Sequence, residues 1–346
     1  MSGTDAAERD ATRVAVLERR GKFLVAEPFF QPGARLVVSR DKRADVGDLV
    51  LVGPGRNRNG KGSGRAVISR RLGRPDRARD VIGAFMLDRG LTRGFDPAVE
   101  REARQSAATG VEDLAGRRDL RALPTFTIDP ASARDFDDAV SAEELEGGGW
   151  RVWVHIADVS AYVKPRSLVD REAYRRATSV YVPGAVEPML PGELSNDVCS
   201  LVPEQDRLTV TVELSVGERG VSKAAFYRSV IRSDKRLEYG EVDAIFSGGR
   251  PGGAPWAEPL AAARAAADAL GRGRSSSAAV VLDSAEPEFA FDRHGNILSA
   301  EAVEQTESHR LIERLMVAAN EQVAKLLSEA LSMKQRTAMT VGATVA

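Results

Sequence analysis

One cysteine, Cys199, and three widely separated histidines, His155, His294 and His309, are all that 346 residues offer in thiol or imidazole ligands. A lone thiol cannot close an internal disulfide, and histidines so far apart do not form a zinc site of the usual Cys/His kind. A reducing cytoplasm is therefore the expected compartment. No apolar run approaches the roughly 18 residues that a membrane helix needs, and the amino-terminal MSGTDAAERDATR has no apolar stretch that would mark a secretion signal. A soluble, unsecreted protein without a membrane partner is expected. Charge of one sign is also missing: 49 basic residues face 50 acidic ones for a net charge of −1, so any footprint on nucleic acid has to be local. What remains is an ordinary globular mixture, 43% hydrophobic and 29% charged, long enough for two or three domains.

After a small, charged arm at residues 1–12, short apolar runs appear at Arg13–Leu17, Lys22–Ala26, Ala34–Ser39, Asp48–Gly53 and Arg65–Ser69. Gly21, Pro32-Gly33, Gly47 and Gly53-Pro54 punctuate them, which is the grammar of strands and turns. Five short strands in residues 13–72 suggest a small closed barrel of OB type. From Arg77 to about Ala108 the period lengthens: Val81, Ile82, Phe85 and Met86 can share a helical face, and Pro97 suits the first turn of a second helix. Residues 73–118 thus read as a helical connector.

A larger unit, placed at residues 119–326, opens at LPTFTIDP and continues with the strand-like runs WRVWVHIADV, SLVPEQDRLTVTVELSV and KAAFYRSVIRS. The alanine-rich EPLAAARAAADALGRG favours a helix, and Gly271–Ser277 reads as a loop after it. A last helix is expected over Glu307–Glu329, with Leu311, Ile312, Leu315, Met316, Ala319, Val323 and Leu326 on its packed face. The fold class is α+β.

The segment from Asp129 to Asp138 places Asp129, Asp135, Asp137 and Asp138 within ten residues, with Arg134 as the local counter-charge. Such a cluster is either a solvated acidic loop or a site for a hard divalent cation. Mg²⁺ takes oxygen ligands, often one or two carboxylates beside waters and a substrate phosphate. Phe136, between Asp135 and Asp137, can anchor the loop in a core, and Ala139-Val140 follow it; both favour the cation site. The aspartate order does not fit an EF-hand. The stretch Gly55-Arg-Asn-Arg-Asn-Gly-Lys61-Gly62 matches GxxxxGK of a phosphate loop, but Gly62 stands where Ser or Thr would hold Mg²⁺, and a strand follows rather than a helix. No nucleotide cofactor is expected. Arg56, Arg58, Lys61 and Arg65 there read either as solvated loop charges or as contacts to nucleic-acid phosphates. His155, in VHIADV, reads as a packed strand residue rather than half of an acid/base pair with Asp158, His309 as a helix-surface neighbour of Arg310, and Cys199 as a small buried hydrophobe.

TIDPASARDFDDAV, VHIADVSAYV, TSVYVPGAVEPMLPGELSNDVCSL and SHRLIERLMVAANEQVA, in that order, resemble successive motifs of the RNB catalytic domain of the ribonuclease II / ribonuclease R family. The stretch from GKFLVAEPFF to GRAVISRRLGRPD is similar to the family's cold-shock RNA-binding barrel, so the resemblance spans about residues 13–326. It implies an N-terminal cold-shock-like OB barrel followed by the N-terminal part of a mixed α/β RNB domain. It further implies a hydrolytic, processive 3′-to-5′ exoribonuclease that uses Mg²⁺ to degrade single-stranded RNA to nucleoside 5′-monophosphates. Carried over by the same resemblance, Asp129, Asp135, Asp137 and Asp138 form the acidic quartet: Asp129 and Asp138 are direct metal ligands with Asp135 beside them, and Asp137, with Asp135, serves the cleavage step. Tyr181 matches the aromatic that stacks on the 3′-terminal nucleotides, the alternative being a half-buried core tyrosine. Tyr239 and Glu313 match ribose contacts, the alternative being ordinary helix residues.

The resemblance stops at about residue 326. The family's arginine-bearing motif and further RNA-binding domain are not matched, and residues 327–346, which include MKQRTAMTVGATVA, fall off the pattern. Two readings follow: an exoribonuclease, or a catalytically incomplete fragment that binds RNA without cutting it.

Overall fold

The computed structural model describes residues 12–55, 64–91, 94–109, 114–275, 286–293, 295–303 and 305–343. By contacts the chain sorts into two compact units that interleave in sequence. One holds the described residues of Met1–Asp96, Arg176–Met189 and Glu286–Val303; the other holds those of Pro97–Arg175, Leu190–Ala285 and Glu304–Ala346.

In the first unit, β1 (Arg13–Arg20), β2 (Phe23–Pro28), β3 (Leu36–Val38), β4 (Leu49–Gly55) and β5 (Gly64–Gly73) close into a barrel of order β1-β2-β3-β5-β4. Alternation along the strands turns Ala15, Leu17, Ala26, Val38, Val50, Val52, Ala66 and Ile68 inward, and these residues fill the barrel. Helix α1 (Ala78–Asp88) packs Val81 and Ala84 against Val14 and Leu49. Gly73 makes that approach possible: its φ is +137°, and a Cβ there would lie 2.2 Å from the Asp80 carboxylate, which accepts the Arg74 N–H at 2.9 Å. The loop carrying Arg56, Arg58 and Lys61 lies outside the described residues. The chain leaves that loop as strand β5, as the sequence reading requires. Two hairpins complete this unit: β10 (Val180–Val182) with β11 (Ala185–Glu187), and β15 (Glu286–Phe291) with β16 (Ile297–Val303).

The second unit is built on a seven-stranded sheet of order β14-β7-β8-β9-β12-β13-β6. Its strands are β6 (Arg118–Asp119), β7 (Phe126–Asp129), β8 (Asp138–Glu144), β9 (Trp150–Ala157), β12 (Asp206–Gly217), β13 (Gly220–Arg232) and β14 (Lys235–Glu238). The edge strands β14 and β6 run parallel to β7 and β13, and the central pairs are antiparallel. Around the sheet come α2 (Pro97–Thr109), α3 (Leu168–Arg176), α4 (Tyr239–Phe246), α5 (Ala257–Ser275) and α6 (Glu307–Ala343). One sheet face contributes Phe126, Ile128, Val140, Val152, Val154, Val212, Leu214 and Leu237 to a core shared with Leu260, Ala263 and Ala267 of α5 and Leu311, Ile312 and Leu315 of α6. The opposite face carries a chain of buried polar groups instead. Ser141 Oγ lies 3.1 Å from His155 Nε2, His155 Nδ1 lies 2.8 Å from Thr211 Oγ1, and Thr211 Oγ1 lies 2.5 Å from Ser229 Oγ. His155 is fully buried, and burial pushes it down to about 3, so it is a neutral structural group, as its place in an alternating strand implies.

Two helix expectations need correction. Residues 271–275 are not a loop: α5 continues through Ser275. The Arg314 guanidinium lies over Gly271, where a Cβ would come within 2.6 Å of Cζ, and Arg314 donates to Asp268 at 2.8 Å. A tertiary contact thus overrides the local glycine signal. Helix α6 runs to Ala343, past the expected end at Glu329, and its packed face ends earlier than expected: Val323 still packs on the core, whereas Leu326 is 43% exposed.

Candidate functional site

Strand β7 is buried along its whole length and ends on Asp129; β8 begins at Asp138. The two pair antiparallel with Phe126 opposite Val140, and continuing that register brings Ile128 to Asp138 and Asp129 to Asp137. The aspartates meet because they sit on both sides of one strand-to-strand connection at one end of the sheet's strands.

Three long-range contacts hold that connection. Phe136 is 8% exposed and packs with Ala139, Leu201 and Ile231. Ser200, fully buried, accepts the Phe136 N–H at 3.0 Å and donates to the Arg134 carbonyl at 3.1 Å, while Leu201 N–H donates to the Phe136 carbonyl at 2.8 Å. From β14, the Arg236 guanidinium donates to the Pro130 and Ala131 carbonyls at 2.8 and 3.1 Å and lies 5.3 Å from the Phe136 ring centroid. These contacts grip backbone and phenyl ring rather than the carboxylates. Ser200 and Arg236 are functional-site residues that the sequence reading missed, because each reaches the loop from more than sixty residues away in the chain.

The carboxylates repel one another. Burial pushes Asp129 above its ordinary value, the Thr127 hydroxyl and the Arg236 charge oppose the rise, and Asp135 adds to it. Burial with Asp135 and Asp129 takes Asp137 to about 6, and burial with Asp129 and Asp137 takes Asp138 to about 6. Asp137 is the exposed member of the quartet; Asp129 is 8% exposed, and its Oδ2 is buried without a hydrogen-bond partner. A buried carboxylate oxygen beyond hydrogen-bond distance of any partner, where burial and like charge outweigh what Thr127 and Arg236 contribute, is the position a hard cation would complete. Among the described residues, no three His, Cys, Asp or Glu side chains converge into a ready-made cage. The donors fit an ion that takes one or two carboxylates and leaves its other positions to water and a phosphate.

Tyr239 follows β14, in which Glu238 pairs with Asp129, so its phenol comes under the charges of the quartet. Burial first, then Asp138 and Asp129, pushes Tyr239 up to about 12, which keeps its O–H protonated. His309 of α6 is not the helix-surface neighbour expected from sequence. Its ring stacks on Tyr239 with centroids 3.8 Å apart and planes 12° from parallel, and burial lowers it from its ordinary value. Glu313 is exposed and lies one helical turn beyond His309. Tyr181, in the first unit, is 61% exposed on β10 opposite Val186, which rules out the buried-core alternative. Cys199 is buried, and burial pushes its thiol up to about 12, consistent with an inert hydrophobe.

A closed barrel of OB order, with a mixed α/β unit whose strand ends gather four mutually repelling carboxylates, defines a class of barrel-plus-acidic-centre proteins. Within that class the chain belongs to the RNB family: the RNB domain profile matches residues 117–338. It is similar to Ribonuclease R of Vibrio parahaemolyticus, 36% identical over 93% of this chain and 41% of the relative, and to Ribonuclease R of Escherichia coli K12, 35% identical over 93% and 42%. The chain thus spans about two fifths of the length of these curated relatives. Among solved structures it resembles Mycoplasma genitalium RNase R in complex with ribose-methylated single-stranded RNA, with a TM-score of 0.78 and 25% identity over 92% of this chain and 52% of that one.

Proposed function

We propose that this chain is a hydrolytic 3′-to-5′ exoribonuclease that degrades single-stranded RNA to nucleoside 5′-monophosphates with Mg²⁺ at the aspartate quartet. The observation that carries the reading is the buried, unpartnered Asp129 Oδ2 among carboxylates that raise one another's proton affinity. The RNA bound to the M. genitalium relative supports the substrate class. We assign the cytoplasm to it, on the strength of its single buried thiol.

Asp129 and Asp138 would hold the metal, with Asp135 beside them. A bound ion supplies a water of lowered pKa and charge compensation at the phosphate. Asp137, open to solvent and ionised at neutral pH, orients the attacking water and accepts its proton. The water oxygen bonds to phosphorus while the bond from phosphorus to the upstream 3′ oxygen breaks. The phosphate stays on the terminal nucleotide's 5′ oxygen, and the departing 3′ oxygen takes a proton from solvent to become the shortened RNA's 3′ hydroxyl. Tyr239, protonated, and Glu313 serve as ribose contacts, which separates RNA from DNA by the 2′ hydroxyl. Tyr181 offers a ring for base stacking, about 1–3 kcal/mol per base. Arg56, Arg58 and Lys61 serve as phosphate contacts.

One observation favours a second reading, binding without cleavage. Arg236, the arginine whose charge reaches Asp129, directs its terminal guanidinium nitrogens to two carbonyls and to Glu238 at 3.1 Å, so they are taken up within the chain. RNA labelled at its 3′ end separates the two readings. The exoribonuclease reading predicts labelled 5′-mononucleotide as the first product. Intact RNA that still shifts in a gel would establish the binding reading, and labelled fragments of intermediate length would contradict exonucleolytic action altogether.

A further inference from the structure

Tyr239 is the first residue of a short helix, α4, and is only partly buried, so nothing in its own backbone fixes where its phenol sits. A ring that reads a hydroxyl must be held within a fraction of an ångström, and packing from a neighbouring element has to do this. That element is the first turn of α6. Ser308, fully buried, donates from Oγ to the Tyr239 carbonyl at 3.2 Å, and its N–H donates to Asp243 of α4 at 3.1 Å. The next residue, His309, lays its imidazole on the Tyr239 ring at 3.8 Å, nearly parallel. The imidazole is itself held, with Nδ1 2.6 Å from Thr306 Oγ1. The helix start is thus tied to the Tyr239 backbone by one residue and to its ring by the next, and Glu313 follows on the His309 side of α6.

We infer that His309 is a positioning residue for sugar discrimination. Its stacked imidazole sets the tilt of Tyr239, so that the phenol and Glu313 meet the same terminal ribose, and the RNA-over-DNA preference of the site depends on it. The inference rests on the proposed reading of Tyr239 and Glu313 as ribose contacts. His309 does not touch RNA or the aspartates in this account; it acts through Tyr239. A merely structural histidine would change stability and weaken RNA and DNA binding alike. A positioning histidine changes their ratio.

The test is binding of a fluorescent oligoribonucleotide and its all-deoxy counterpart to the full chain in EDTA, which removes cleavage from the readout. The unaltered protein should prefer the ribose form. His309→Ala should shrink that preference about two- to tenfold, the factor that the loss of one stacked ring pair corresponds to, with binding of the deoxy strand unchanged. His309→Phe, which restores a ring without the Thr306 hydrogen bond, should recover most of the preference. An unchanged ratio in His309→Ala would overturn the inference, as would equal weakening of both ligands or a failure of His309→Phe to recover. Tyr239→Phe separates the two levels. If it abolishes the preference while His309→Ala does not, the ribose reading stands and the inference about His309 falls. If the unaltered chain shows no preference, both fall together.

Discussion

Asp138→Asn is expected to make the metal-free protein more stable at pH 7 while removing any effect of Mg²⁺ on its melting temperature. Asp138 is displaced from 3.8 to about 6 by burial and by Asp129 and Asp137, which means that the folded state holds its proton more tightly than the unfolded state does. The sign follows from linkage. Below about pH 3.8 both states are protonated and the residue costs nothing; from there to about pH 6 the folded state loses ground as pH rises; above about 6 the full penalty remains. The displacement corresponds to at most about 3 kcal/mol, and to about half that with solvent screening at a partly exposed side chain. Melting should therefore rise by about 3–6 °C at neutral pH, using roughly 2–4 °C per kcal/mol for a unit of this size. The gap between variant and parent should close as pH falls toward 4. Saturating Mg²⁺ should stabilise the parent, since a ligand of the folded state alone shifts the equilibrium by mass action, and should leave the variant unmoved. A variant less stable than the parent at pH 7 would mean that the carboxylate is structurally satisfied and the quartet is not a strained cation site.

The largest stability effect is expected at Arg117. Its guanidinium donates to Asp158 at 2.6 Å, with the two side chains 6% and 1% exposed, and Ser160 adds a hydrogen bond at 2.5 Å. These partners hold Asp158 below its ordinary value in spite of its burial, so this pair stabilises the fold above about pH 4, and the contribution is lost as pH falls further. Arg117→Met strands a buried carboxylate and should cost about 3–5 kcal/mol in urea unfolding at pH 7. Arg228, 3.7 Å from Asp158 but 63% exposed, can recover only part of that. Adding Asp158→Asn to the same chain should restore most of the loss, because it removes the stranded charge. A single-variant loss below about 1 kcal/mol would show that water reaches Asp158.

The barrel was legible because every strand announces itself locally, as in Arg13–Arg20 and Leu49–Gly55, where β-branched and leucine residues sit between turn-forming glycines. The aspartate quartet was legible for a similar reason: the members lie on one strand-loop-strand connection, and Phe136 between them marks which part of the loop is anchored. What holds the quartet was not legible. Ser200 and Arg236 come to its loop, and His309 to Tyr239, across the fold from positions that carry no local signal of the contact. His309 beside Arg310 looks like a pair on a helix surface, and only the packing of α6 on α4 turns it toward Tyr239. The end of α5 misled for the opposite reason: Gly271 and its neighbours carry a true loop composition, but the Arg314 guanidinium packs over Gly271 within the helix. The exposure of Tyr181 was likewise decided by its hairpin rather than by its residue type.

The most direct measurement is degradation of a 5′-labelled single-stranded RNA by the purified chain with Mg²⁺, beside EDTA and Asp137→Asn. Short end products are predicted with the unaltered protein, none in EDTA, and a loss of about a hundredfold or more in Asp137→Asn with RNA binding retained. Cleavage that persists in EDTA or is undiminished in Asp137→Asn would contradict the assignment of the aspartate quartet as the site of hydrolysis.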